Sequence, residues 1–202
     1  GFGEYPGSGF PGESMGMLPS YRDWHPVTQA TFAFGYGLSA SPLQLARAYG
    51  VLANNGLKKD IKLLLDEGET NVSRVFSSDL SKTVNNMLES VVSESGTGKN
   101  AMIPHYRVAG KTATLHKVKA GGGYDENKYV SAFAGFSPAS NPRVVTVVII
   151  DEPSEGKYFG GLVAAPIFSK VTERALQLLR ISPDKQIGSW VNHESLKGHG
   201  KS

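Results

Sequence analysis

The chain has 202 residues, a net charge of +3 at pH 7, 40% hydrophobic residues, 24 glycines, 11 prolines and no cysteine. This length and hydrophobic content are enough for a packed domain, or for part of a larger one, and exclude a chain that is disordered by composition. The absence of cysteine excludes disulfides, thiol catalysis and cysteine-ligated metals, and the small charge gives no reason to expect a nucleic-acid partner.

The ends of the chain indicate a piece of a longer protein. It opens on Gly1-Phe2-Gly3 without a methionine or a signal peptide, and no run approaches the roughly 18 apolar residues of a spanning helix. We therefore expect a fragment. Residues 1–183 are expected to form its folded part, and residues 184–202, which are polar, a flexible tail.

The first part of the chain combines a loop with two helices. Residues 1–37 are rich in Gly, Pro and aromatic residues and are expected to form an extended, packed loop. Ser41-Pro42 starts a helix that ends at residues 54–56, Asn-Asn-Gly, and a second helix is expected from residue 77 or 78 to 92. The stripes expected to be buried are Leu45, Tyr49 and Leu52 in the first helix, and Leu80, Val84, Met87, Leu88 and Val91 in the second.

The second part is expected to be a three-stranded antiparallel meander followed by a helix. Residues 106–118, 129–136 and 143–150 have strand patterns separated by short turns, and the third, a β-branched run, is expected to be central and well buried. Pro166 is expected to open the final helix, which ends near residue 179. Its buried stripe is expected to be Ile167, Val171, Ala175 and Leu178. The predicted fold class is α+β, with an antiparallel sheet flanked by helices.

The most informative stretch is residues 110–114, Gly-Lys-Thr-Ala-Thr. A phosphate-binding loop is excluded, because position 105 is His instead of Gly and the segment continues as a strand. In a strand, Thr112 and Thr114 share one face while Lys111 and Ala113 share the other. Such a strand can hold an anionic substrate, and the alternative is an ordinary edge strand with a surface lysine.

Several blocks in the same order resemble class B penicillin-binding proteins of the septal, cell-division type. Residues 111–114 resemble the K-T/S-G-T motif of these transpeptidases. The other blocks are residues 1–3, 10–13, 34–39, 44–46, 106–111, 133–138, 150–153, 158–161 and 165–168. The resemblance implies part of the fold shared by penicillin-binding transpeptidases and serine β-lactamases.

The resemblance also implies roles for individual residues. Lys111 supplies positive potential near the nucleophile, and the hydroxyls of Thr112 and Thr114 bind the terminal carboxylate of the substrate. The backbone N–H of Thr114 forms half of the oxyanion hole. Tyr158 and Phe159 lie near the active-site mouth and contact bound β-lactams, whereas the alternative for Phe159 is a packed turn. Gly160 and Gly161 are expected to serve that turn through backbone angles that other residues avoid.

Two positions depart from the motif of the family. Ala113 replaces its glycine, and by alternation the methyl group points away from the two threonines. His116 stands where relatives often carry Arg, so it is a candidate for substrate binding, with an ordinary surface histidine as the alternative. The remaining histidines have no metal-ligand spacing, and neither a metal nor a cofactor is expected.

The nucleophile motif of the family is not found. Ser154 with Lys157 and Ser182 with Lys185 match S-x-x-K, but both follow residues 111–114, whereas the serine of the family precedes them. No Ser has Asn two residues later, so S-x-N is absent as well. The chain is therefore expected to lack the first half of the domain and to be inactive alone.

The resemblance implies that the parent is a serine D-Ala-D-Ala transpeptidase that cross-links peptidoglycan stem peptides during septation. Its expected partners are stem peptides, β-lactams, the missing N-terminal part of the domain and proteins of the divisome. Its expected location is the periplasmic face of the inner membrane, with an anchor helix outside this chain. Two alternatives stay open: a catalytically impaired binding or scaffold domain, to which Ala113 gives some support, and a serine β-lactamase.

Overall fold

The computed structural model describes residues 1–64, 68–119, 121–154 and 156–185, so residues 186–202 of the predicted tail lie outside the described residues. The chain combines helices with antiparallel strands in an α+β arrangement, as predicted. The helices are α1 (Pro26–Phe32), α2 (Pro42–Ala53), α3 (Ser78–Val91) and α4 (Gly160–Leu178). The strands are β1 (Leu57–Lys59), β2 (Val72–Arg74), β3 (Ala109–Val118), β4 (Tyr124–Ser137) and β5 (Val144–Asp151).

The main sheet of the described residues is the predicted antiparallel meander, in the order β3-β4-β5. The strand predicted at 106–118 begins later, at Ala109, and the one predicted at 129–136 begins earlier, at Tyr124. The expectation that residues 143–150 form the central strand is wrong for this sheet, because β4 lies in the middle and β5 at the margin. A β-branched run indicates a strand but not its place in the sheet.

The register decides which side chains share a face, since directly paired residues point the same way. Thr112 pairs with Phe133, and Phe133 pairs with Val148. The ring of Phe133 is fully buried, and its centroid lies 4.6 Å from that of Phe168 in α4. The face that carries Thr112 is therefore the face on which α4 packs, and Lys111 lies on the opposite face.

Helix α4 differs from its prediction at its start and in its buried side. It begins at Gly160, so Pro166 lies inside the helix and does not open it. Of the predicted stripe, Ile167, Val171 and Leu178 are exposed. The buried residues are instead Gly160, Ala164, Ala165, Phe168, Thr172 and Leu176. The helix is apolar on two sides, and the side with the smaller residues comes closer to the sheet.

Helices α2 and α3 begin where their caps predict. The Ser41 side chain accepts from Gln44 N–H while the Gln44 side chain accepts from Ser41 N–H, which forms a capping box. Ser77 caps α3 by accepting from Leu80 N–H. The predicted stripe of α3 is only partly correct, because Leu80 and Met87 are exposed. In α2 the buried residues are Gln44 and Val51, in place of the predicted stripe.

The N-terminal region is mainly loop, as predicted, with a 3₁₀ turn at Tyr21–Asp23 and the helix α1. The expectation that this loop is packed is wrong for much of its length, because Tyr5, Phe10 and Phe34 are exposed. Seven helical residues are too few for a clear periodic pattern. The β1–β2 ribbon was not predicted either, since both strands have three residues. In the parts of the chain that the structure covers, no helix is long and apolar enough to cross a bilayer.

Candidate active site

Residues 111–114 lie in β3, at one edge of the main sheet. Lys111 pairs with Ala134, Thr112 with Phe133, Ala113 with Ala132 and Thr114 with Ser131. The two threonines therefore point to the α4 side, and the lysine and the alanine to the other side, which confirms the predicted alternation. Because β3 is an edge strand, every second residue also directs its N–H and C=O groups away from β4.

Lys111 presents a free positive charge at this edge. Its side chain is exposed, and Nζ donates to the carbonyl oxygen of Thr112 at 3.0 Å. No carboxylate among the described residues forms an ion pair with it. The ammonium group can therefore attract an anion or stabilise a negative charge next to the strand.

The hydroxyl of Thr112 is paired with a second hydroxyl. Thr112 Oγ1 donates to Thr97 Oγ1 at 3.2 Å, and Thr97 lies in the connection between α3 and β3. Both side chains remain accessible to solvent. A neighbouring pair of hydroxyls can donate two protons to one acceptor or form a chain of hydrogen bonds.

The hydroxyl of Thr114 is bonded to the start of α4. The backbone N–H of Gly160, the first residue of the helix, donates to Thr114 Oγ1 at 3.0 Å. A hydroxyl has one proton and two acceptor lone pairs. Since an N–H group can only donate, this bond leaves the proton of Thr114 available to an anionic ligand.

Gly160 and Gly161 are needed for close packing, and not for unusual backbone angles as predicted. Neither lies in the positive-φ region. A Cβ at Gly160 would lie 2.3 Å from the carbonyl oxygen of Ala113 and 2.5 Å from that of Ala132. A Cβ at Gly161 would lie 2.4 Å from the carbonyl oxygen of Thr97. Because these two residues have no side chain, the first amides of α4 can lie close to β3.

Four rings form a row beside the threonines. The ring centroids of Tyr129 and Tyr158 lie 4.1 Å apart and nearly parallel, at 12°. His116 lies 4.7 Å from Tyr129 at one end of the row, and Phe159 lies 4.6 Å from Tyr158 at the other. The buried hydroxyl of Ser131 donates to the carbonyl oxygen of Tyr158, which fixes the backbone under the row. The side chain of Phe159 is 54% exposed and can contact a ligand.

His116, the candidate with an ordinary surface histidine as its alternative, is half-buried. Its Nδ1 lies 3.0 Å from the carbonyl oxygen of Asp125. A carbonyl only accepts, so in the neutral ring Nδ1 carries the proton and Nε2 is an acceptor. In this form the ring lacks the paired donors with which Arg would bind a carboxylate.

An ion network ties the far end of β3 to the end of β5. Lys117 Nζ lies 2.9 Å from Asp151 Oδ2 and 2.8 Å from Glu152 Oε1, and Lys128 Nζ lies 3.1 Å from Glu152 Oε2. Hydrogen bonds from Lys117 and then Lys128 lower the pKa of the Glu152 carboxyl group. The hydrogen bonds to Glu152 and then Asp151 raise the pKa of Lys117.

The two S-x-x-K matches do not lie in helices in the described structure. Ser154 follows β5, and Ser182 follows α4. The segment near Ser182 is held by Asp184, which accepts from Arg107 N–H at 2.7 Å and from the Ser140 hydroxyl at 2.7 Å. Both serines lie outside the helices and strands.

Thr97, Asn100, Tyr129 and Ser131 belong to this region but were not predicted as site residues. Asn100 Nδ2 donates to the carbonyl oxygen of Gly161 at 2.8 Å. Thr97 stands in a Thr-Gly dipeptide upstream of the strand, a local signal from which it could have been predicted. In the residues that the structure describes, no group of three His, Asp or Glu side chains is placed to hold a metal.

Four cavities of about 240–680 Å³ are lined by residues that the structure describes. None of these four is lined by Lys111, Thr112 or Thr114. The largest, of about 680 Å³, lies between the N-terminal loop and the start of α2. The candidate site brings together hydroxyls, an ammonium group and aromatic rings.

Comparisons with known proteins agree on one family. Residues 1–173 match the model of the penicillin binding protein transpeptidase domain. The chain is 42% identical over 180 residues to the probable peptidoglycan D,D-transpeptidase PenA of Neisseria gonorrhoeae, covering 89% of this chain and 31% of that protein. It is 40% identical over 184 residues to the peptidoglycan D,D-transpeptidase FtsI of Escherichia coli K12, covering 91% and 31%.

Solved structures give the same result. The TP domain of penicillin-binding protein 3 from Burkholderia pseudomallei superposes with a TM-score of 0.84 at 42% identity, covering 92% of this chain and 56% of that one. Penicillin-binding protein 3 from Mycobacterium tuberculosis in complex with aztreonam superposes with a TM-score of 0.81 at 31% identity, covering 92% of this chain and 45% of that one. The chain spans about a third of the length of the curated relatives and about half of these solved chains.

Proposed function

Because this chain belongs to the penicillin-binding protein transpeptidase family, we propose that it forms the carboxylate-binding wall of a peptidoglycan D,D-transpeptidase. We assign residues 1–183 to that domain. The observation that carries the proposal is the pair of hydroxyls of Thr112 and Thr114 on one face of an edge strand, beside the free ammonium group of Lys111. These groups match the carboxylate at the end of a D-Ala-D-Ala stem peptide.

The proposed reaction is acyl transfer through a serine. The serine oxygen attacks the carbonyl carbon between the two D-alanines, the peptide C–N bond breaks, and the terminal D-alanine leaves after its nitrogen gains a proton. An amine of a second stem peptide then displaces the serine. A β-lactam follows the first half, since attack opens its ring C–N bond and the acyl group stays on the serine.

Each site residue has a part in this scheme. Thr112 and Thr114 donate hydrogen bonds to the substrate carboxylate, and the backbone N–H of Thr114 donates to the oxyanion. Lys111 lowers the energy of negative charge near the serine. Tyr158, Phe159 and His116 form the side wall that contacts the substrate or the β-lactam side chain. These assignments combine the geometry of β3 with the resemblance to the family.

We place the serine and its lysine in the part of the relatives' length that this chain does not span. The chain alone is then expected to bind weakly and to have no turnover. In the longer protein the reaction takes place on the periplasmic side of the inner membrane, where the peptidoglycan is cross-linked. A membrane anchor and contacts with divisome proteins belong to that longer protein in this proposal.

The test is acylation of the full-length protein by a fluorescent penicillin. Thr112→Val and Thr114→Val each remove one charge-assisted hydrogen bond and are expected to lower the second-order acylation rate by about 10- to 100-fold. Thr83→Val, on the exposed face of α3, is the matched control. A folded full-length protein that is not labelled at all would overturn the proposal.

A further inference from the structure

The connection between α3 and β3 contacts both threonines, directly or through α4. We propose that Thr97 and Asn100 are positioning residues that direct the hydroxyl protons of Thr112 and Thr114 towards the substrate carboxylate. The inference rests on the proposed function and assigns residues to the same site. Both residues act through other groups and are not catalytic.

The argument for Thr97 concerns the direction of one hydrogen bond. Thr112 Oγ1 donates to Thr97 Oγ1 at 3.2 Å, but a bond between two hydroxyls can reverse. A carboxylate can only accept, so the proton of Thr112 must turn towards it. Thr97 then becomes the donor to Thr112, and the chain runs from Thr97 through Thr112 to the carboxylate. Hydrogen bonds in such a chain strengthen one another.

The argument for Asn100 concerns the position of the first turn of α4. Asn100 Nδ2 donates to the carbonyl oxygen of Gly161 at 2.8 Å. The neighbouring Gly160 N–H donates to Thr114 Oγ1 at 3.0 Å, which occupies one lone pair of the hydroxyl and leaves its proton available to a carboxylate. Asn100 therefore holds the helix amide that orients the second threonine.

The two contacts form one unit, because the connection and the helix touch. A Cβ at Gly161 would lie 2.4 Å from the carbonyl oxygen of Thr97 and 3.6 Å from Thr112 Cγ2. The backbone of Thr97 thus lies against the first turn of α4, next to the side chain of Thr112. A shift of this connection would move both threonines relative to a bound carboxylate.

The test compares two probes in the full-length protein. N-acetyl-D-Ala-D-Ala and its C-terminal amide differ only in the carboxylate, and each competes with acylation by a fluorescent penicillin. Thr97→Val removes the hydroxyl at nearly constant shape and is expected to weaken the acid by about 3- to 10-fold while leaving the amide unchanged. Thr97→Ser is expected to restore the affinity for the acid. Asn100→Leu is expected to weaken the acid and leave the amide unchanged, as Thr97→Val does.

The ratio of acid to amide affinity is independent of the fraction of folded protein, so partial unfolding does not imitate the expected result. An unchanged ratio in Thr97→Val and Asn100→Leu would overturn the inference. Thr112→Val separates this outcome from failure of the proposed function. If Thr112→Val lowers the ratio and the two variants do not, only the positioning role fails; if Thr112→Val leaves it unchanged, the carboxylate site itself fails.

Discussion

The backbone amide of Gly160 donates to the hydroxyl of Thr114 at 3.0 Å, across 46 positions of the sequence. The bond joins the first residue of α4 to the edge strand of the sheet. Helix α4 also places Phe168 in the core, against Phe133 of β4. The candidate site is therefore built on the same helix that holds the sheet together, which makes its geometry sensitive to the packing of that helix.

Gly160→Ala is expected to damage the site and the fold together. The new Cβ would lie 2.3 Å from the carbonyl oxygen of Ala113, so α4 must move and the bond to Thr114 lengthens. Overpacking of this kind costs about 1–3 kcal/mol of unfolding free energy. Chemical denaturation measures that loss, and penicillin labelling of the full-length protein is expected to fall with it.

Gly50→Ala is the control for that substitution. Gly50 lies inside α2, and nothing lies within 4 Å of an added Cβ. The helix propensity of alanine predicts a gain of about 0.5–1 kcal/mol with unchanged labelling. Equal losses in both glycine variants would contradict the close-packing argument for Gly160.

Phe168→Ala and Phe159→Ala distinguish the contribution of the core to stability from the contribution of the site to ligand contact. Phe168 is fully buried, so its truncation is expected to cost about 3–5 kcal/mol. Phe159 is 54% exposed, so its truncation is expected to cost less than about 1 kcal/mol and to change the relative acylation rates of β-lactams with different side chains. Thermal unfolding and a panel of β-lactams measure the two effects. A Phe159 variant with an unaltered β-lactam preference would count against its contact role.

Ala113→Gly is expected to have little effect on acylation. The methyl group lies on the face opposite to Thr112 and Thr114, as the register shows. The second-order acylation rate of the full-length protein is therefore expected to stay within about threefold, which corresponds to less than one kcal/mol. A large gain in rate would instead support the alternative of a site impaired by the natural alanine.

Glu152→Gln is expected to remove a pH-dependent part of the stability. The lysine contacts lower the pKa of Glu152, so its contribution is present above the ordinary carboxyl pKa and is lost as the pH falls through the lowered value. The variant is expected to unfold at a slightly lower temperature at pH 7 and at the same temperature in strong acid. The difference should shrink in high salt, because the groups are exposed.

Glu126→Gln provides the matched comparison, since Glu126 is exposed on β4 and has no ion pair among the described contacts. Its melting temperature is expected to follow that of the unmodified protein at each pH. If the Glu152 variant shows the same difference at pH 7 and in strong acid, the effect does not come from ionisation of the carboxyl group.

The sequence by itself determined the features that depend on near neighbours. Ser41 and Ser77 start helices because each side chain bonds an amide three residues later. The alternation of Lys111 and Thr112 between two faces follows from the geometry of any strand. The short segments that resemble penicillin-binding proteins identified the family, because each of them is a local sequence pattern.

Only the tertiary structure decided the features that depend on distant parts of the chain. The hydrophobic pattern of α4 selected the stripe with Ile167 and Val171. The buried side is instead the one with Ala164 and Ala165, because small residues allow the helix to approach the sheet. Gly160 meets Thr114 for the same reason. A local pattern shows that a helix is apolar, and the fit of two surfaces decides which side is buried and which hydroxyls its amides reach.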